Sequence, residues 1–84
     1  MESIRVFVVD DHPMIRHGLA AMLRAEAGIT WVGEAADAAE AIRTAPALAP
    51  DVVLMDLVMP RMDGVETISA LRPLMPNTHF VVLT

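Results

Sequence analysis

Three aspartates stand where apolar runs end: Asp10 and Asp11 directly after Ile4 to Val9, and Asp56 directly after Val52 to Met55. If the first and third runs lie side by side, three carboxylates converge on one small surface. At about 4 Å and an effective dielectric near 20 each pair repels by roughly 4 kcal/mol, enough to force protonation or to recruit a hard cation with oxygen ligands. Magnesium, which favours one or two carboxylates plus water and phosphate oxygens, fits. Asp56 also opens a loop containing Met59, Pro60, Asp63 and Gly64. A carboxylate exposed beside a bound metal can attack a phosphoryl group and form an acyl phosphate. A hydroxyl such as that of Thr84, which follows the apolar run Phe80 to Leu83, would donate to the phosphoryl oxygens. One aspartate at a strand end is most often a turn former or a helix cap. Three at the same edge read as a site.

The elements that would position them are legible as four apolar runs without strict alternation, Ile4 to Val9, Thr30 to Ala35, Val52 to Met55 and Phe80 to Leu83. Such runs suit strands covered on both faces. Between the first two, Pro13 suits the first turn of a helix, Ile15, Leu19, Met22 and Leu23 form one buried stripe, and Gly28 is the stop. Asp37 and Glu40 open a second, alanine-rich helix that ends before Pro46 or Pro50. Asp63 and Glu66 open a third, with Val65, Ile68 and Leu71 on one face and Pro73 at its end. Strand and helix alternating in this way predict an α/β fold, a doubly wound parallel sheet reached by right-handed crossovers. Ligands of such sheets bind beyond the carboxyl ends of the strands, where the three aspartates lie. A dinucleotide-binding reading fails at the same edge. It needs a glycine-rich turn after the first strand, and Asp10, Asp11, His12 and Pro13 stand there.

Composition narrows the class. The chain has 84 residues, 55% hydrophobic and 20% charged, with a net charge of -5. That is too apolar for disorder, and no run approaches the roughly 18 apolar residues of a spanning helix. There is no cysteine for a disulfide or thiolate site and MESIRV is not a signal peptide, so a cytoplasmic location without membrane contact is the expectation. All six basic residues are arginine, and the acidic balance argues against this stretch gripping a phosphate backbone by itself. Eighty-four residues is short of the roughly 100 to 150 usual for one domain.

Taken together, the runs V-D-D-H-P-M-I-R-H-G-L and M-D-L-V-M-P-R-M-D-G-V-E resemble the receiver domain of two-component response regulators, and within it the NarL/FixJ group. The resemblance covers the whole chain, from the first strand through the fourth. It implies the flavodoxin-like receiver fold, ordered β1-α1-β2-α2-β3-α3-β4 and truncated before the last helix-strand-helix portion. Asp56 then matches the phosphoacceptor. Asp10 and Asp11 match the acidic pair that holds Mg2+ or Mn2+, Asp11 more directly, with the backbone carbonyl of Val58 as a further ligand. Pro60 and Gly64 match the residues that shape the loop, and Thr84 the switch hydroxyl. The implied donor is a sensor histidine kinase, and the implied output is transcription control through a LuxR-like DNA-binding domain that this chain lacks. The chain contains no lysine to match the one the family places on its fifth strand.

Two other readings compete. A haloacid-dehalogenase-like phosphatase also uses an aspartyl phosphate, but wants an aspartate two residues after the nucleophile, where Val58 stands. A non-signalling fragment would expose the last strand as an apolar edge and form a homo-oligomer, by strand or helix exchange. Other residues read more plainly. His12 reads as a solvated neighbour of the acids, and His17 and His79, the latter preceding the last strand, carry no chemistry. Met22 and Met55 fall on core spacings, whereas Met59 and Met62 line the site or a partner surface. Trp31 packs near a sheet edge. Arg16, Arg24, Arg61 and Arg72 read as solvated faces or surface ion pairs.

Overall fold

Ile4–Val9 forms β1, and its last four residues are buried, as an apolar run covered on both faces should be. The computed structural model describes residues 3–56 and 63–83. β1 is followed by α1 (Pro13–Ala25), β2 (Ile29–Ala35), α2 (Ala38–Leu48), β3 (Val52–Asp56), α3 (Gly64–Leu71), a 3-10 turn (Arg72–Leu74) and β4 (His79–Leu83). The strands are parallel, in the order β2-β1-β3-β4. This is the expected α/β receiver architecture. β2, β3 and β4 each run one residue longer than their apolar runs, so His79 opens β4 rather than preceding it.

Parallel register sets Phe7 beside Val53 and Val9 beside Met55. Ala41 and Ala45 of α2, Leu71 of α3 and Met75 close over these four, forming the core with Leu48, Ile68 and Phe80 at its margin. Full burial of each large apolar side chain contributes roughly 1.5–3 kcal/mol. Small alanines let α2 approach closely, and so does Gly33. A Cβ there would lie 2.9 Å from Leu48 Cδ1 and 3.1 Å from the Phe7 ring.

β2 carries one extra residue. Val6 pairs with Trp31 and Phe7 with Gly33, so Val32 drops out of the ladder as a bulge. Trp31 and Glu34, opposite Val6 and Val8, thereby share the α1 face of the sheet although three positions apart. Trp31 lies on an edge strand, as expected, with the Arg24 guanidinium 4.5 Å from its ring centroid. Arg24 is exposed, as expected of a solvated face, and is also a cation over an aromatic ring.

Two helical expectations, for α1 and α3, need correction. In α1 the stripe is rotated: Ala20 is buried, Leu19 and Leu23 are half-buried, and Ile15 and Met22 are 44% and 67% exposed. α1 lies chiefly over β2, so its sheet-facing side runs through Arg16 and Ala20, and Met22 is no core residue. In α3, Asp63 Oδ1 accepts from the N–H groups of Val65 and Glu66, and the Thr67 hydroxyl donates to the Asp63 carbonyl. That cap sets a phase in which Gly64, Thr67 and Leu71 are buried and Val65 is exposed. In α2 the Asp37 cap holds as expected, Asp37 Oδ1 accepting from Glu40 N–H and Glu40 Oε1 from Ala36 N–H. Of the two prolines expected to bound it, Pro50 does: the helix runs through Pro46 to Leu48 and ends at Ala49, left-handed at φ 47°. Burial of Ala41 and Ala45 with the packing of Leu48 outweighs the one hydrogen bond a helical proline forfeits.

Candidate functional site

The β1–β3 register, with Val9 opposite Met55, carries the chain directly into Asp10 on one strand and Asp56 on the other. Asp10 N–H donates to the Ala35 carbonyl at 3.1 Å, prolonging the β1–β2 ladder by one bond. Its carboxylate is almost wholly buried, at 2% exposure for the residue. A buried carboxylate needs partners. Asp10 Oδ1 accepts from the His12 backbone N–H at 2.8 Å and bonds His12 Nδ1 at 2.8 Å. Behind it, Arg16 donates to the Asp10 carbonyl at 2.7 Å while its Nε lies 3.8 Å from Glu34 Oε1. The bulge in β2 is what turns Glu34 toward that arginine.

One imidazole nitrogen faces all three acids: His12 Nδ1 is also 3.0 Å from Asp11 Oδ1 and 3.9 Å from Asp56 Oδ2. The hydrogen bond to Asp10, helped by the charges of Asp11, Asp10 and Asp56, holds the His12 pKa above its usual value against the opposing effect of desolvation. Asp11 Oδ1 is buried and makes no hydrogen bond. Carboxylate oxygens gathered this closely are a donor set for a hard divalent cation. The ligand atoms of Asp10, His12 and Asp56 lie within 4.8 Å of one another, which fits such an ion, and Asp11 meets this set through the His12 ring.

The sequence-predicted trio Asp10, Asp11 and Asp56 is therefore brought together. Gly64 is buried as the first residue of α3. Val58, Pro60 and Thr84, with Met59, Arg61 and Met62, lie outside the described residues. Leu83, which precedes Thr84, sits opposite Asp56 in the β3–β4 register. Two participants carry a weaker sequence signal. His12 is half exposed, as a solvated neighbour should be, yet its ring reaches every acid. Arg16 reads as a surface charge, and its only hint is its place one turn inside a helix that starts next to the acids.

Comparison with known proteins agrees with this geometry. The response regulator receiver domain family matches residues 6–84. The transcriptional regulatory protein LiaR of Bacillus subtilis is 48% identical over 81 residues, covering 96% of this chain and 38% of LiaR. The chain thus spans about two fifths of the curated relative's length. The receiver domain of the putative response regulator NarL from Mycobacterium tuberculosis superposes with a TM-score of 0.85 at 39% identity, covering 98% of this chain and 66% of that one. RcsB from Salmonella enterica serovar Typhimurium, solved bound to the promoter rprA in the presence of the phosphomimetic BeF3-, gives 0.87 at 30% identity over 99% of this chain and 43% of that one. With the sheet order, the acidic edge and the family match in accord, the chain belongs to the response regulator receiver domain family.

Proposed function

We propose that Asp56 accepts a phosphoryl group from a sensor histidine kinase with a divalent cation, Mg2+ or Mn2+, held by Asp10 and Asp11. The observation that carries this reading is the convergence of β1 and β3 on three carboxylates, one of them an orphaned buried oxygen of Asp11. An Asp56 carboxylate oxygen bonds to phosphorus as the P–N bond of the donor phosphohistidine breaks. The leaving imidazole nitrogen keeps the electron pair and takes up a proton. The cation, when bound, neutralises charge on the transferring group. Asp10 is held in place for this by the His12 backbone N–H and, through its carbonyl, by Arg16. The carbonyl of Val58 completes the proposed ligand set, Pro60 and Gly64 shape the loop, and Thr84 acts as the switch hydroxyl.

Receiver domains are signalling domains rather than enzymes of the usual kind, and the product here is a modified Asp56. LiaR is a transcriptional regulatory protein, and RcsB has been solved on promoter DNA. By analogy the phosphorylated receiver governs a DNA-binding output domain within a longer cytoplasmic protein. Among the described residues no helix is long and apolar enough to cross a membrane. Acetyl phosphate with Mg2+, followed by intact-mass measurement, tests the reading. The protein gains one phosphoryl mass and the Asp56→Asn variant does not; no gain in the unmutated protein overturns it.

A second reading, self-association, is favoured by β4. Among the described residues it lies at the end of the strand order, with Val81 44% and Val82 38% exposed. Light scattering then reports a dimer, and a monomer across the accessible concentration range defeats this reading.

A further inference from the structure

Two side chains on the α1 face of β2 each keep one polar atom buried and without a hydrogen-bond partner, the Nε1–H of Trp31 and the Oε2 of Glu34. A buried indole N–H and a buried carboxylate oxygen are nearly always bonded. Among the described residues Asp11 Oδ1, at the acidic edge, is the only other such side-chain atom. The bulge at Val32 sets Trp31 opposite Val6 and Glu34 opposite Val8, two rungs apart and roughly 7 Å along the strand. One of these atoms gives a proton and the other accepts one, yet they do not meet. Both residues line a single cleft of about 290 Å³ between β2 and α1, together with His17, Ala20 and Arg24. Arg16 does not supply the missing donor: its Nε lies 3.8 Å from the other carboxylate oxygen, Glu34 Oε1.

We infer that this cleft binds a small molecule carrying a primary carboxamide, whose carbonyl accepts from Trp31 Nε1–H and whose N–H donates to Glu34 Oε2. The pairing of groups selects the chemistry. A simple anion satisfies the indole but meets the Glu34 carboxylate, and a simple cation satisfies Glu34 but offers the indole nothing and meets the Arg24 guanidinium. An amide supplies one acceptor and one donor without net charge. At about 30 Å³ for each non-hydrogen atom, as in liquid water, the cleft holds about ten of them. Both unpartnered atoms are out of reach of solvent as the side chains stand, and Arg24 is the part of the wall that moves. It is exposed, and its guanidinium lies over the indole ring, 4.5 Å from the centroid, at the end of a flexible side chain. Swinging outward, it uncovers the indole and stays within reach of the ligand carbonyl.

Trp31 is the one tryptophan of the chain, so its indole N–H gives a single signal in proton–nitrogen NMR spectra. Titration with nicotinamide moves that signal to a saturating end point. The analogue acetylpyridine keeps the ring and the carbonyl but carries a methyl group in place of the amide nitrogen. It binds about tenfold or more weakly, because a hydrogen bond to a charged acceptor is lost. Ligand-observed NMR returns a similar loss for nicotinamide on Trp31→Phe, with the dispersion of the backbone amide signals as the folding control. The comparison of the two compounds needs no variant and stands if that substitution disturbs β2. An indole signal that nicotinamide leaves in place overturns the inference, as does equal affinity for the two compounds. An indole N–H in contact with a bound water alone, before and after nicotinamide is added, overturns it as well.

Discussion

On the face of the sheet covered by α2 and α3, Phe7, Val9, Val53 and Met55 have no solvent exposure. On the face covered by α1, Val6 and Val8 of β1 are buried, but Val52 and Leu54 of β3 are half-buried; β4 is open on both faces, Val81 being 44% and Val82 38% exposed. One helix lying chiefly over β2 does not reach across to β3 and β4. The two faces teach that an apolar strand run reports the capacity to be covered, while the number of helices on each side decides how much is. Asp56, on the same alternation as Val52 and Leu54, belongs to the more open face.

Truncation on the closed face produces the largest effect. Phe7→Ala removes the central ring of the core and costs about 3–5 kcal/mol, enough to unfold a small domain, measured as a fall in the urea midpoint. A cost under about 1 kcal/mol would erase the distinction between the faces. Next comes Asp63→Ala, which strips the α3 cap of two N–H acceptances and costs about 1 kcal/mol in the same assay. Met22→Ala, on the outer side of α1, changes stability by less than about 0.5 kcal/mol. A larger loss would mean that α1 buries the stripe its spacing suggests.

The last effect is a pH dependence at the acidic edge. In metal-free protein kept with chelator, folded His12 holds its proton more tightly than unfolded His12, whose pKa is about 6.5. Its stabilising contribution is therefore full below that value and disappears as pH rises through the raised folded pKa. The difference in urea midpoint between the unmutated protein and His12→Gln shrinks with rising pH. A difference that grows with pH would contradict the contact with Asp10.

Much of this was legible without coordinates, for identifiable reasons. Asp10, Asp11 and Asp56 stand at strand ends, so an inferred neighbour relation between β1 and β3 suffices to gather them. Asp37 and Asp63 mark helix starts through local hydrogen bonds that depend on nothing distant. Ile15 and Met22 were misleading because periodicity gives the spacing of a stripe but not its rotation about the helix axis, which Ala20 and the β2 surface decide. Between Pro46 and Pro50 the sequence leaves the end of α2 open, because the local penalty of Pro46 is weighed against packing on β1 and β2 that only the fold supplies. The reach of His12 and the tether of Arg16 depend on a turn and a bulge that sequence pattern alone does not place.

That bulge carries an evolutionary consequence. With Val32 outside the ladder, β2 shifts its phase by one residue, and this alone lets Trp31 lie beneath Arg24 while Glu34 meets Arg16. A homologous strand that lost the Val32 codon would set Trp31 and Glu34 two positions apart in a regular ladder and keep both on the α1 face, with Gly33 still opposite Phe7. At this point of the strand, losing that one residue is a lighter change than replacing Gly33, where a Cβ would lie 2.9 Å from Leu48 Cδ1.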